Sequence, residues 1–185
     1  MIKHLMSALL LGLFLSGPAM AESIYVLIKT NKGDITVSLN AKKAPESVKN
    51  FLRYVDEGFY NGTVFHRVIE GFMIQGGGLT PDMQKKDTHD GITNEAKNGL
   101  KNVRGSIAMA RTRSPHSATS QFFINHRNNE NLDYPSFDGW GYAVFGMVTH
   151  GMEVVDAIAN APVTVKSGRE NVPAKTILIE SITRK

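Results

Sequence analysis

The sequence has 185 residues, a formal net charge of +4 and no cysteine. The absence of cysteine excludes a disulfide scaffold and a lipid-modified cysteine anchor. Positive and negative charges are interspersed rather than collected in blocks, so we predict no nucleic-acid partner in spite of the net positive charge.

The first 21 residues have the order of a secretory signal peptide. Lys3 is followed by an apolar run over residues 5–15 and by the small-residue triplet Ala19-Met20-Ala21. The run of about 11 residues is shorter than the roughly 20 residues that a membrane-spanning helix needs. A retained tether is the alternative, but the cleavage triplet follows the run closely. We therefore predict that residues 1–21 are removed and that residues 22–185 form one domain, without membrane attachment.

The mature chain opens with a hairpin pattern. Residues 24–29 are apolar and β-branched, residues 31–34 read as a turn, and residues 35–39 alternate with period two. Pro45 then suits a first helical position, apolar residues recur at helical spacing up to Val55, and Gly58 suits a helix stop. An amphipathic helix with one buried face is predicted.

The remaining pattern is one of short strands between glycine-rich turns. Strands are predicted over 64–69, 72–75, 105–110, 121–125, 142–148 and 176–182, with a second helix over 153–159. This pattern is typical of an antiparallel barrel or sandwich, and periodicity does not choose between them. Residues 79–100 are polar and aperiodic, so we expect a long surface excursion, which in compact domains is usually functional.

Two segments carry unusual combinations of side chains. Residues 65–77 read FHRVIEGFMIQGG, and residues 109–125 include Met-Ala-Arg-Thr followed by Ser-Ala-Thr-Ser-Gln-Phe-Phe. These segments resemble the two signature segments of the cyclophilins, and the resemblance extends from about residue 24 to the C-terminus. Within that family the chain is most similar to periplasmic members from Gram-negative bacteria.

The resemblance implies a fold, an activity and a location. The implied fold is mainly β, a closed antiparallel eight-stranded β-barrel capped by two α-helices. The implied activity is that of a peptidyl-prolyl cis/trans isomerase, which needs no cofactor and no metal. The implied location is the periplasm, and the implied partners are unfolded or folding polypeptides that contain X-Pro bonds.

The resemblance also implies roles for particular residues. Arg67 is the catalytic arginine, Phe72 and Gln75 complete the catalytic set, and Gln75 binds the substrate backbone. The family residue at the position of Arg111 is commonly Asn and acts through its backbone, so Arg111 leaves peptide binding intact. Many members carry His at the position of Tyr142, whereas bacterial ones often have Tyr. The implied substrate-binding residues are Met73, Ala110, Arg111, Gln121, Phe123, Leu132 and Tyr142.

The chemistry of X-Pro rotation calls for the same residue types. Amide resonance sets a barrier of roughly 18–20 kcal/mol, and no covalent bond needs to break. A guanidinium, which stays protonated, can donate to the prolyl nitrogen once the twisted amide returns the lone pair to it. An apolar pocket of aromatic and flexible side chains can grip the ring. Arg67, Phe72, Met73 and Phe123 meet these demands.

Each residue also has a plainer interpretation. Phe122, Phe123 and Ile124 could all be core, although alternation predicts that Phe122 and Ile124 share one face and Phe123 the other. Arg67 could be a surface ion-pair partner, and His66 an ordinary strand histidine without a catalytic role. The Gly76-Gly77-Gly78 run lacks the Lys-Ser/Thr of a phosphate-binding loop and is interpreted as a turn.

Two functions from different classes remain open from the residues themselves. One is an isomerase that assists folding of exported proteins, which the presence of Arg67 favours. The other is a non-catalytic binder or chaperone of Pro-containing segments. Cyclophilins that bind cyclosporin tightly carry Trp where this chain has Asn131, so we predict weak or no cyclosporin binding. We also expect a monomer.

Overall fold

The computed structural model describes residues 24–185. The predicted leader, residues 1–21, lies outside the described residues. Within the part that the structure describes, no helix is both long and apolar enough to cross a bilayer.

The described chain begins with the predicted hairpin. Strand β1 spans Ile24–Thr30 and pairs antiparallel with β2, Gly33–Leu39. Alternate residues of β1 face the interior, where Val26 and Ile28 are fully buried. The turn requires Gly33, because its φ of +130° is a backbone conformation that residues with a side chain rarely adopt.

The first helix, α1, spans Pro45–Asp56 and confirms the helical periodicity. Its N-terminus is not capped by the preceding side chain. Instead the carboxylate of Glu95 accepts hydrogen bonds from the backbone N–H groups of Glu46 and Ser47, at 3.1 and 2.8 Å. A carboxylate at this end of a helix satisfies free N–H groups and the helix dipole together. The buried face of α1 consists of Ser47, Val48, Asn50, Phe51, Leu52, Tyr54 and Val55.

Six more strands join the hairpin in one sheet: β3 Thr63–Ile69, β4 Met73–Gly76, β5 Ser106–Met109, β6 Phe122–Asn125, β7 Val144–His150 and β10 Leu178–Arg184. The eight strands close into an antiparallel barrel in the order β1-β10-β3-β4-β6-β5-β7-β2, with β2 returning to β1. The barrel alternative is therefore confirmed over the sandwich.

An additional hairpin lies outside the barrel and was not predicted. Strands β8, Val163–Lys166, and β9, Arg169–Pro173, pair with each other as a separate two-stranded sheet. All four residues of β8 are exposed. A strand of four residues without a buried face gives no clear amphipathic signal, which explains why the pattern of the sequence did not reveal it.

The barrel interior and its helical caps share one core. Phe51 of α1 packs against Tyr60, Phe122 and Phe145, with ring centroids 5.2, 5.6 and 5.2 Å away. The second helix, α2, spans Met152–Ala159, and its residues Val155, Ile158 and Ala159 join the same cluster. This continuous packing supplies a rigid scaffold for the outer face of β3, β4, β5 and β6.

Residues 79–100 form the predicted excursion, but the segment is anchored at several points. Leu79 and Met83 are buried against Val64 and Val172. The backbone N–H of His89 donates to the hydroxyl of Tyr54 at 3.0 Å, and a 3₁₀ turn at Ala96–Asn98 follows the Glu95 contact with α1. The segment is therefore packed against the barrel and α1 along its length.

Candidate active site

A β-bulge in β3 directs the arginine of the first signature segment outward. Phe65 lies opposite Gly76 of β4, whereas Arg67 lies opposite Gln75, so two residues advance on β3 against one on β4. Side chains alternate between the two faces of a strand, and the extra residue reverses that alternation. Phe65 therefore packs in the barrel core while Arg67 lines a cavity on the outer face.

The second signature segment divides its apolar residues between the two faces as predicted. Phe122 and Ile124 belong to the barrel core, whereas Phe123 belongs to a separate outer cluster. The outer cluster also contains Met73 and Leu132 as buried members. β4 and β6 are neighbours, with Gln75 opposite Phe123. The two signature segments, distant in sequence, thus form adjacent strands of one outer surface.

This outer surface contains a small cavity of about 140 Å³. Pockets for drug-sized ligands usually measure about 300–1,000 Å³, so the cavity suits a group as small as a proline ring. It brings together all of the predicted site residues except Gln121, which lines the neighbouring cavity. The lining residues are Arg67, Phe72, Met73, Gln75, Ala110, Arg111, Phe123, Leu132 and Tyr142.

Arg67 lies beside the apolar side chains of the cavity wall. Its Nη1 is 4.0 Å from the sulfur of Met73, and its guanidinium carbon is 6.0 Å from the ring centroid of Phe72. None of the ion pairs among residues 24–185 involves Arg67. The interpretation as a surface ion-pair residue is therefore disfavoured, and its N–H donors remain available to a ligand.

Two glutamine side chains connect the small cavity to a second one. Gln75 Nε2 donates to Gln121 Oε1 at 3.0 Å. The second cavity, of about 290 Å³, shares Gln75, Ala110 and Arg111 with the first and adds Gln121. Gly78 must lack a side chain here, because a Cβ would collide with Gln121. Because they share three lining residues, the two cavities form one continuous groove.

Besides the backbone role that the resemblance implies for Arg111, its side chain is a structural part of the groove. The side chain is 2% exposed and forms an ion pair with Asp138, with Nη2 and Oδ2 2.5 Å apart. Its Nε donates to the carbonyl of Gly141 at 3.0 Å, and its guanidinium carbon lies 4.5 Å from the ring centroid of Tyr142. The hydrogen bond from Arg111 is the main reason why the pKa of Asp138 is lowered from its ordinary value.

His66 lies next to the arginine on the bulged strand and is buried. Burial is the main cause that lowers its pKa from 6.5 to about 4. Among the described residues its Nδ1 has no hydrogen-bond partner. The imidazole is therefore neutral at pH 7.

Asp138 and two lysines are parts of the groove that were not predicted from the sequence. Asp138 precedes Gly139, and Asp-Gly reads as an ordinary turn, so no local pattern marks it as the partner of Arg111. Lys85 and Lys86 of the 79–100 excursion line the second cavity. The Nζ of Lys86 also donates to the carbonyl of Phe59.

No group of three His, Asp or Glu side chains in residues 24–185 is arranged to hold a metal ion.

Comparison with known families gives one match along almost the whole described chain. The family described as "Cyclophilin type peptidyl-prolyl cis-trans isomerase/CLD" matches residues 25–184. Peptidyl-prolyl cis-trans isomerase B of Escherichia coli is 54% identical over 160 residues, which cover 85% of this chain and 98% of that protein. Peptidyl-prolyl cis-trans isomerase A of Dickeya dadantii is 51% identical over 185 residues, which cover 98% of this chain and 97% of that protein.

Solved structures agree with these matches. The crystal structure of a Cryptosporidium parvum cyclophilin-type peptidyl-prolyl cis-trans isomerase superposes with a TM-score of 0.76 at 30% identity, covering 89% of this chain and 98% of that one. A second structure of the C. parvum protein, in the presence of the dipeptide Ala-Pro, gives a TM-score of 0.75. The shared barrel, the arginine-bearing outer cavity and the family match lead to one conclusion: the chain belongs to the cyclophilin-type peptidyl-prolyl cis/trans isomerases and catalyses rotation about X-Pro bonds.

Proposed function

We propose that the enzyme works outside the cytoplasm, on X-Pro bonds of exported polypeptides, as a mature protein that starts at Glu22. The leader-like order of residues 1–21 supports export. The absence of cysteine suits an oxidising compartment, where stray thiols would mispair. The open groove of two adjoining cavities suits a segment of an unfolded chain better than a compact small molecule.

Export is tested by expressing the full chain in a Gram-negative host and sequencing the N-terminus of the protein in the periplasmic fraction. We expect Glu22 as the first residue. An Ala19→Arg variant, which destroys the Ala-x-Ala triplet, serves as the control and is expected to accumulate uncleaved. Recovery of unprocessed wild-type protein from the cytoplasm would contradict the proposal.

We further propose that Arg67 is the catalytic donor in this groove. The observation that carries this role is a guanidinium that has no ion-pair partner among residues 24–185 and lies beside apolar side chains at the wall of a small cavity. As the X-Pro amide twists, its nitrogen regains a lone pair, and an N–H of Arg67 can donate to it. A donor held at that position stabilises the twisted state more than either planar isomer, and only such differential binding accelerates the reaction.

The remaining wall residues hold the proline ring while the preceding carbonyl turns. We assign the apolar grip to Phe72, Met73, Phe123 and Leu132, which all line the cavity. Gln75 and Gln121, joined by a hydrogen bond, offer further amide donors and acceptors to the substrate backbone. Tyr142 and Ala110 close the sides of the cavity. Every step is a rotation or a hydrogen bond, so the proposal includes no cofactor and no metal.

The proposal is tested with purified residues 22–185 and a short peptide containing one Ala-Pro bond, in a protease-coupled assay and by exchange spectroscopy without protease. We expect faster cis/trans exchange that is unchanged by a chelator. Activity that disappeared with the chelator and returned with a divalent metal would refute the proposed mechanism.

A further inference from the structure

The side chain of Arg111 is buried at the junction of the two cavities, which is an unusual place for a cation. A buried charge is tolerated when it is paired and hydrogen-bonded. Three of the N–H groups of Arg111 are directed at the protein itself: Nη2 to Asp138, Nε to the carbonyl of Gly141, and Nη1 to the carbonyl of Thr112 at 3.1 Å. Most of its donors are therefore committed before a substrate arrives.

Asp138 belongs to residues 133–141, which we call the rim segment. Its Oδ1 accepts hydrogen bonds from the backbone N–H groups of Trp140 and Gly141, at 3.0 and 3.3 Å, while Oδ2 binds Arg111. Much of the segment is exposed, and Phe137 is 83% exposed. The carboxylate of Asp138 thus organises the turn and fastens it to the floor of the groove.

Arg111 also supports one wall of the proline-sized cavity. Its guanidinium lies against the ring of Tyr142, and that ring makes an edge contact with Phe123 at a centroid distance of 5.7 Å. Tyr142 and Phe123 both line the cavity. Contacts therefore run from Asp138 through Arg111 to Tyr142 and on to Phe123.

We propose that Arg111 and Asp138 are positioning residues, whose ion pair fastens the rim segment to the groove and holds Tyr142 against Phe123. The pair keeps the cavity in its binding shape without touching the reacting bond. The inference rests on the proposed role of the cavity as the proline site. It extends that role from the residues that line the cavity to a carboxylate that does not.

The consequence is a particular kinetic pattern. A preformed cavity binds the planar and the twisted substrate equally well. A less ordered cavity therefore binds both more weakly, which raises KM and leaves kcat nearly unchanged. We expect Asp138→Asn to raise KM about tenfold with kcat within about twofold of wild type. Arg111→Lys keeps the charge but loses the planar fork, and we expect the same direction with a smaller change. The two substitutions combined should raise KM no more than the stronger single one, because both break one interaction.

A second readout follows the rim segment without substrate. Trp140 is the only tryptophan of the chain, and its backbone binds Asp138. We expect acrylamide to quench its fluorescence more strongly in Asp138→Asn than in wild type, and Asp138→Glu to restore part of the protection. Asp56→Asn, which breaks the exposed pair with Arg184, is the matched control and should change neither KM nor quenching.

Two results would overturn the proposal. The first is a KM within about twofold of wild type in both Asp138→Asn and Arg111→Lys. The second is a loss of kcat at unchanged KM, which would place Arg111 in the chemical step. Should Asp138→Asn fail to fold by circular dichroism, Arg111→Lys decides alone. Wild-type turnover and the effect of Arg67→Ala are measured in parallel, so failure of the positioning role is distinguishable from failure of the site.

Discussion

Arg67 is the residue on which the proposed chemistry depends most directly. Arg67→Ala removes one donor to the twisted amide, and we expect kcat/KM to fall about 10²–10³-fold, or roughly 2.7–4 kcal/mol. The loss should appear mainly in kcat. The fold should survive, because the head group of Arg67 lies in the groove and has no ion-pair partner among the described residues.

Arg184→Ala is the control for this measurement, since Arg184 pairs with Asp56 at the surface and does not line the groove. A loss below threefold for Arg67→Ala, with an unchanged circular dichroism spectrum, would remove Arg67 from the mechanism.

His66 gives the enzyme a pH-dependent stability. Its pKa is lowered from 6.5 to about 4, so between those values the unfolded chain binds a proton that the folded chain rejects. The contribution of His66 to the free energy of unfolding is therefore fully present above pH 6.5 and is lost as the pH falls towards 4. For a shift of this size, we expect acidification from pH 7.5 to 4.5 to cost about 2–3 kcal/mol through this residue.

The measurement is urea unfolding of wild type and His66→Gln at both pH values. The comparison at pH 7.5 corrects for any packing change in the variant. A pH dependence equal to that of wild type would show that His66 is not the group responsible.

Among the elements, α1 depends on a residue far away in sequence. Glu95 accepts two backbone hydrogen bonds and the hydroxyl hydrogen bond of Ser47 at 2.7 Å. Glu95→Gln removes the charge from the helix N-terminus, and we expect the free energy of unfolding to fall by about 1 kcal/mol. Thermal unfolding measures this change. Glu180→Gln, at an exposed position of β10, is the control, and an equal effect in both variants would contradict the cap.

The 3₁₀ turn at Glu130–Leu132 contains Asn131, which stands where relatives that bind cyclosporin tightly have Trp. Asn131 is exposed there, and its carbonyl accepts a hydrogen bond from Ser136. A Trp at this position would add about 150–250 Å² of burial and an N–H donor. Trp140 does not replace it, because its ring contacts His116 and Lys97, which do not line the proline-sized cavity.

We therefore predict cyclosporin binding at least roughly 30-fold weaker than that of a Trp-bearing relative, the factor that 2 kcal/mol represents. Calorimetric titration of wild type and Asn131→Trp tests this. We expect the variant to gain affinity while isomerase activity on small peptides persists. Nanomolar binding by wild type, or no gain in the variant, would show that the turn does not contribute as proposed.

At the scale of the whole molecule, we predict a monomer that folds on its own core. The barrel interior and the buried faces of both helices form one cluster, and the barrel closes on itself without a free edge. A monomer that unfolds in two states has a Tm independent of protein concentration. Sedimentation velocity and thermal scans over a hundredfold concentration range test this, and a rising Tm or a faster species would contradict it.

Much of the fold follows from patterns within short stretches of sequence. The hairpin of β1 and β2 and the helix α1 were predicted because alternation, a favourable turn and a proline at the first helical position are local signals. The opposite faces of Phe122 and Phe123 follow from the period of a strand. Most of the cavity residues lie in the two signature segments, each of which is continuous in the chain, and their roles were implied by the resemblance of those segments to the cyclophilins; Leu132 and Tyr142 lie outside both segments.

Other features depend on residues that only the folded chain brings together. Barrel closure was chosen over a sandwich by strand pairings such as β1 with β10, which no local period specifies. The outward turn of Arg67 needs a bulge whose register is set by β4. The buried charge of Arg111 needs Asp138, and α1 needs Glu95. Local periodicity decides which face of a helix or strand is apolar. Contacts between residues distant in sequence decide which polar side chains are paired and which remain free to bind a substrate, because a charge that these contacts bury must find a partner.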